Sequence, residues 1–150
     1  MGIIKKFEEF INENFANKEI EATEIYQDKI NNGKKLNQIF YEIEEINGVD
    51  NAFRVYSISL KKFSIVVDNK LIGKWYKQIN TFFSDGFLRV KDENTTTYLD
   101  TNFEEISQRF DDGTPFYNGY AVVSLHGKDY ALDTKLHLRK SDVTEHPEEK

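Results

Sequence analysis

Phe83-Ser84-Asp85-Gly86-Phe87-Leu88-Arg89-Val90 recurs 33 positions later as Phe116-Tyr117-Asn118-Gly119-Tyr120-Ala121-Val122-Val123. Without a gap, Phe83, Gly86, Phe87 and Val90 fall on Phe116, Gly119, Tyr120 and Val123, and Leu99-Asp100 falls on Leu132-Asp133. A fixed period of this length marks a repeated supersecondary unit that cannot bury its apolar face alone. Gly86 and Gly119 each follow an acid or an amide, where a turn takes a positive φ that glycine adopts cheaply. The flanking rings Phe83, Phe87, Phe116 and Tyr120 are expected beneath those turns, with Val90 and Val123 continuing inward. Asp100 and Asp133 end strands and are expected to cap the next turn by side-chain to backbone hydrogen bonds. They read as scaffold, not as catalytic carboxylates.

Working outward, the pattern upstream is also β-like. Phe53–Leu60 and Phe63–Val67 alternate and are rich in β-branched and aromatic residues, which predicts strands. Asp68-Asn69 predicts a turn into a strand from Leu71 to about Ile79. Further strands are expected near Gly86–Val90, Thr96–Asp100, Gly119–Leu125 and Asp129–Asp133. His126-Gly127 is a tight connection, and Asp111-Asp112-Gly113-Thr114-Pro115 reads as the clearest loop.

Before Gly48 the period changes to helical. Ile3, Ile4, Phe7, Phe10, Ile11 and Phe15 form one stripe. Lys18–Asn31 forms a second segment, stopped by Asn31-Asn32-Gly33. Leu36, Ile39, Phe40, Ile43 and Ile46 form a third. The expected fold is therefore α+β, with N-terminal helices packed against an antiparallel β-sheet built from the repeats. One compact domain is expected over 1–140, helical over 1–48 and β-rich over 49–140, with a disordered tail at 141–150.

The string from Phe103 to Val123, through Ile106, Phe110-Asp111, Phe116, Gly119 and Ala121-Val122, resembles the bacterial tryptophan-glycine (WG) repeat. Tyr98-Leu99-Asp100 and Ala131-Leu132-Asp133 stand at that repeat's closing strand. The name-giving pair is replaced by Thr96-Thr97 and by Asp129-Tyr130, and the single tryptophan, Trp75, precedes a tyrosine. Ile72 and Tyr76 match Ile106 and Phe110 at a spacing of 34 and suggest an earlier, worn repeat. The resemblance covers about residues 71–138. It implies a β-rich binding repeat with no shared catalytic residues.

Composition limits the chemistry. The 150 residues include no cysteine, which removes disulfides, thiolate zinc sites and cysteine nucleophiles. Hydrophobic residues at 39% and aromatics at 14% suffice for a packed core at this size. No apolar run spans a bilayer, and Met1–Phe10 is broken by Lys5, Lys6, Glu8 and Glu9 and makes no signal sequence. A cytoplasmic protein is expected. Charge is uneven: residues 1–50 hold 6 basic and 11 acidic side chains, 51–90 hold 7 and 2, and 91–150 hold 7 and 13. The acidic outer thirds argue against nucleic acid and suit a basic protein partner.

No histidine has a carboxylate or second histidine at metal-ligand spacing, and no phosphate-cradling loop or nucleophile elbow is present. No metal and no cofactor are expected. His126 and His137 could in principle serve a metal-free hydrolase or ribonuclease as base and acid, and Lys70–Arg89 with Trp75, Tyr76, Phe82 and Phe83 could stack single strands. A structural or sensory repeat that binds a peptide is a further alternative. The reading favoured is non-enzymatic: a protein-binding module, in its sharpest form an immunity protein that neutralises a basic, nuclease-type toxin through an acidic surface. Candidate partner-binding residues are Glu104, Glu105, Asp111, Asp112 and Asp129, or Glu8, Glu9 and Glu13 on the first helix.

Overall fold

A computed structural model describes the backbone from Gly2 to Lys140 and the side chains from Asn17 onward. The expected tail at 141–150, with His146, lies outside the described residues. The elements are α1 (Gly2–Asn31), α2 (Leu36–Ile39), β1 (Glu42–Glu45), β2 (Ala52–Ser57), β3 (Lys62–Val67), β4 (Lys70–Leu71), β5 (Gln78–Ile79), β6 (Leu88–Lys91), β7 (Thr96–Leu99), β8 (Asp112–Gly113), β9 (Tyr120–Leu125), β10 (Lys128–Asp133) and β11 (Leu138–Lys140). They form three sheets, ordered β1-β2-β3-β4, β5-β6-β7 and β11-β10-β9-β8. Antiparallel sheet dominates and helices are few. Among the described residues no helix is long and apolar enough to cross a membrane. Two compact units result: residues up to Glu44 with Asn51–Trp75, and Glu45–Asp50 with residues from Tyr76 on.

In the first unit the two helices expected on either side of Ala16-Asn17 are one. No glycine or proline interrupts the chain between Phe15 and Lys18, and a lone asparagine weakens a helix by only about 0.7 kcal/mol. α1 ends where Asn31-Asn32-Gly33 predicts. Gly33, at φ +85, donates its N–H to the Ile30 carbonyl, and Lys34 donates to Lys29 at 3.1 Å, the paired bonds of a Schellman end.

The third expected helix, over Leu36–Ile46, is corrected. α2 lasts one turn, and Phe40 is already extended at φ −110 and ψ 151. Tyr41 donates its N–H to the Tyr56 carbonyl and β1 joins the sheet edge, with Glu44 paired to Arg54. Five apolar residues at mixed spacing suit either period, and the ladder offered by β2 decides. Leu36, Ile39 and Ile43 still pack against one core of Ile30, Phe40, Val55, Val66, Leu71 and Trp75. Trp75 Nε1 donates to Thr23 Oγ1 at 2.9 Å, Leu71 N–H donates to Gln27 Oε1 at 2.7 Å, and Tyr26 shares a hydroxyl bond with Ser57. The single strand expected over Leu71–Ile79 is β4 and β5, interrupted where Gly73 turns to φ +87.

In the second unit the echo is an atomic repeat. Asp85 and Gly86 take φ +53 and +87, and Asn118 and Gly119 take +52 and +96. These are two-residue turns of the primed type that matches strand twist. Ser84 and Phe87 exchange both backbone hydrogen bonds across the first turn, as Tyr117 and Tyr120 do across the second. Asp100 Oδ1 accepts from the N–H of Asn102 and Glu104, and Asp133 Oδ1 accepts from those of Lys135 and His137. Phe103 and Leu136, again 33 apart, both sit at positive φ. The two aspartates are turn caps, as the sequence predicts. Tyr98, Phe110, Phe116, Ala121, Val123 and Leu132 are the buried core here, with Phe87, Leu125, Tyr130 and Leu136 against it.

Strand register extends the repeat further than the sequence does. Arg54 pairs with Ile65, Arg89 with Tyr98, and Val122 with Ala131. The second strand of each hairpin then pairs onward at Val66–Leu71, Leu99–Glu105 and Leu132–Leu138. β1–β4 is thus a first repeat, whose Ile72 N–H bonds Ile65 O as Ile106 N–H bonds Tyr98 O. Asp111–Pro115 is corrected from loop to a strand and its approach: Asp112 pairs with Ser124 and Gly113 with Val123.

Candidate functional site

Where the matched turns of the second unit lie side by side, they make an open groove of about 430 Å3. Asp85 Oδ2 accepts the N–H of Gly119 at 2.8 Å, and the Ser84 hydroxyl donates to the Phe116 carbonyl. One turn therefore caps the next and fixes the groove walls. The lining includes Phe82, Thr114, Pro115, Tyr117, Tyr120 and Val122. Phe82 remains 45% exposed and Tyr117 67%, whereas Phe116 beneath them is 2% exposed. Thr114 is locked in place: its Oγ1 accepts the N–H of Val122 at 3.0 Å.

Beyond the groove, the same face of the β8–β10 sheet turns acidic. Asp112 on β8 lies opposite Ser124 on β9, which lies opposite Asp129 on β10. Ser124 Oγ donates to Asp129 Oδ1 at 2.7 Å, and Asp112 is 3.7 Å from Lys91 Nζ. Asp111 is exposed, and its Oδ2 accepts the N–H of His126 at 2.8 Å. The fold thus sets Asp112 and Asp129 in one row across Ser124, with Asp111 held to the adjoining His126 turn.

Glu104 and Glu105 are not in that row. Glu104 is exposed on the turn capped by Asp100. Glu105 accepts the Tyr76 hydroxyl at 2.7 Å and Arg109 Nη2 at 2.8 Å, and Arg109 also reaches Asp92 and Thr95. Partial burial works against the Arg109 charge, but Glu105 and Asp92 outweigh it and hold its pKa above the ordinary value. Burial first, then the bond to Glu105, pushes the Tyr76 hydroxyl well above its usual range. Glu105 thus anchors the second unit internally. The side chains of Glu8, Glu9 and Glu13 lie outside the described residues.

His126 sits in its turn at φ +52, and His137 is 72% exposed with Nδ1 4.0 Å from Asp133 Oδ2. Neither histidine lines the groove. Among the described residues no group of three His, Asp or Glu side chains is placed to hold a metal. Trp75 is buried in the first unit and Tyr76 in the second, so neither offers a stacking face.

Sequence reasoning singled out acidic residues, two of which share a row across Ser124, and it missed the groove. The available signal was disagreement within the echo. Tyr117 stands where its mate is Ser84, and Phe82 is an extra ring with no matched partner. Positions at which repeats differ are those that the shared scaffold does not dictate.

Antiparallel β-repeats with matched turns define the class, and one family match agrees with it. The family described as the WG containing repeat matches residues 97–128, from β7 into β10, in line with the resemblance carried by Phe103–Val123. No curated protein matches the chain. Among solved structures, a chain described as KlHsv2 with loop 6CD replaced by a Gly-Ser linker is similar at 16% identity and a TM-score of 0.44. That similarity covers 64% of this chain and spans 36% of that one.

Proposed function

We propose that this protein is a non-catalytic, cytoplasmic protein-binding module, and specifically an immunity protein that neutralises a basic, nuclease-type toxin. The observation that carries the reading is the pairing of an open groove bearing the exposed rings of Phe82 and Tyr117 with an acidic patch on the same sheet. Tyrosine in a desolvated pocket is a frequent source of binding energy, and charges at a rim steer encounter. Asp111, Asp112 and Asp129 are the rim in this reading, with Glu104 outside it.

The test mixes the chain with an equimolar amount of the protein encoded by the adjoining gene, where this reading expects the toxin, and follows gel filtration at low salt. Co-elution is expected, weakened at least tenfold by Tyr117→Ala. Asp112→Asn is expected to slow association chiefly at low ionic strength. Separate elution of the unaltered proteins at low salt overturns the reading.

A further inference from the structure

One repeat earlier, the face equivalent to the groove is already filled. Phe116, carried just ahead of the Asn118-Gly119 turn, lies with its ring centroid 4.6 Å from Phe87 and 5.1 Å from Tyr98. Advancing Phe87, Arg89 and Tyr98 by 33 residues gives Tyr120, Val122 and Ala131. Val122 and Ala131 face each other across β9 and β10, both half-buried, with Val122 in the groove wall. The last described sheet therefore presents the seat that Phe116 occupies in the sheet before it, with a smaller floor because Ala131 replaces Tyr98. A cavity of roughly 150 Å3 admits a benzene ring, so a groove of about 430 Å3 holds an aromatic side chain and part of the backbone that bears it.

We propose that this groove receives an aromatic side chain presented on a tight turn of the protein partner, docked against Val122 and Ala131 as Phe116 docks against Phe87 and Tyr98. The inference rests on the protein-binding reading and names its recognition element. Residues 141–150 contain no Phe, Tyr or Trp and cannot supply the ring. A second copy is a poor source, since Phe116 is buried in its own core and Phe83 packs on Phe103 at 5.6 Å. Asp85 and Asp112 beside the seat favour a turn flanked by basic residues.

The probe is a backbone-cyclised peptide with the sequence Thr114–Val123, added to the full chain while the methyl resonances of Val122 and Ala131 are followed by NMR. Saturable shifts of both methyls are expected, with affinity at least tenfold lower for the same peptide carrying Phe116→Ala. Val122→Glu in the protein sets a carboxylate in the half-buried groove wall, where a docked ring would desolvate it. This variant is expected to abolish peptide binding with an unchanged urea midpoint. Absent methyl shifts, or equal shifts from the ringless peptide, overturn the proposal, and that comparison needs no protein variant. A concentration-dependent dimer that Val122→Glu converts to monomer also overturns it by making a second copy the occupant. Peptide binding without a toxin complex overturns the immunity reading alone, and a toxin complex indifferent to Val122→Glu overturns the seat alone.

Discussion

Gly113 shows how one residue serves a fold without needing unusual dihedrals. A Cβ there would stand 2.5 Å from Tyr98 Oη, 3.2 Å from Thr96 Cγ2 and 3.3 Å from Val123 Cγ1. The tyrosine cannot retreat, because its hydroxyl donates to the Thr114 carbonyl at 2.6 Å and burial holds the ring in the core, pushing the phenol above its usual range. Gly113→Ala is expected to destabilise by about 1–3 kcal/mol, the usual range for overpacking. Adding Tyr98→Phe removes the nearest atom, so a double-mutant cycle in urea should show favourable coupling of about 1 kcal/mol. Strict additivity would refute the contact. In sequence, Asp111-Asp112-Gly113 signals only a loop, since a glycine kept for close approach looks the same as one kept for a turn.

Turns and strands were legible to different degrees. The Asp85-Gly86 and Asn118-Gly119 turns left a compositional mark because positive φ excludes most residues. Asp100 and Asp133 were legible because a short carboxylate at a strand end can satisfy backbone donors two and four residues on. The first repeat was hidden by its connection: Arg54 precedes Arg89 by 35 residues but Ile65 precedes Tyr98 by 33, so the β2–β3 hairpin is two residues longer and no gapless echo survives. The third helix was misread because an apolar stripe does not say whether a sheet edge is available.

The Asp133 turn carries a pH signature. The His137 N–H first, then the Lys135 N–H, Arg139 and the nearby His137 ring, hold its carboxyl below the ordinary carboxylate range. A lowered folded value contributes stability that is present above the unfolded pKa of about 3.9 and lost as pH falls through the folded one. Asp133→Asn keeps an acceptor for the backbone donors and removes the titration. Its urea midpoint should fall less between pH 7 and pH 3 than that of the unaltered protein, and an identical acid profile would count against the cap.

At the scale of the molecule, scaffold and recognition separate by which residues the repeats share. Among shared residues, Phe116, Val123 and Leu132 build the buried core and Gly86 and Gly119 make the turns, while Phe82 and Tyr117 at unshared positions stay exposed. Net charge pointed to the acidic row but could not locate the groove, since an exposed ring and a buried one are the same letter until the strands pair. The most direct measurement is the urea-denaturation free energy of Gly86→Ala beside that of Gly119→Ala. Both glycines have open space around an added Cβ, so each substitution should cost only the left-handed backbone strain, about 1–2 kcal/mol, and the two losses should agree within about 0.5 kcal/mol. A full loss at one glycine and none at the other would contradict a duplicated scaffold.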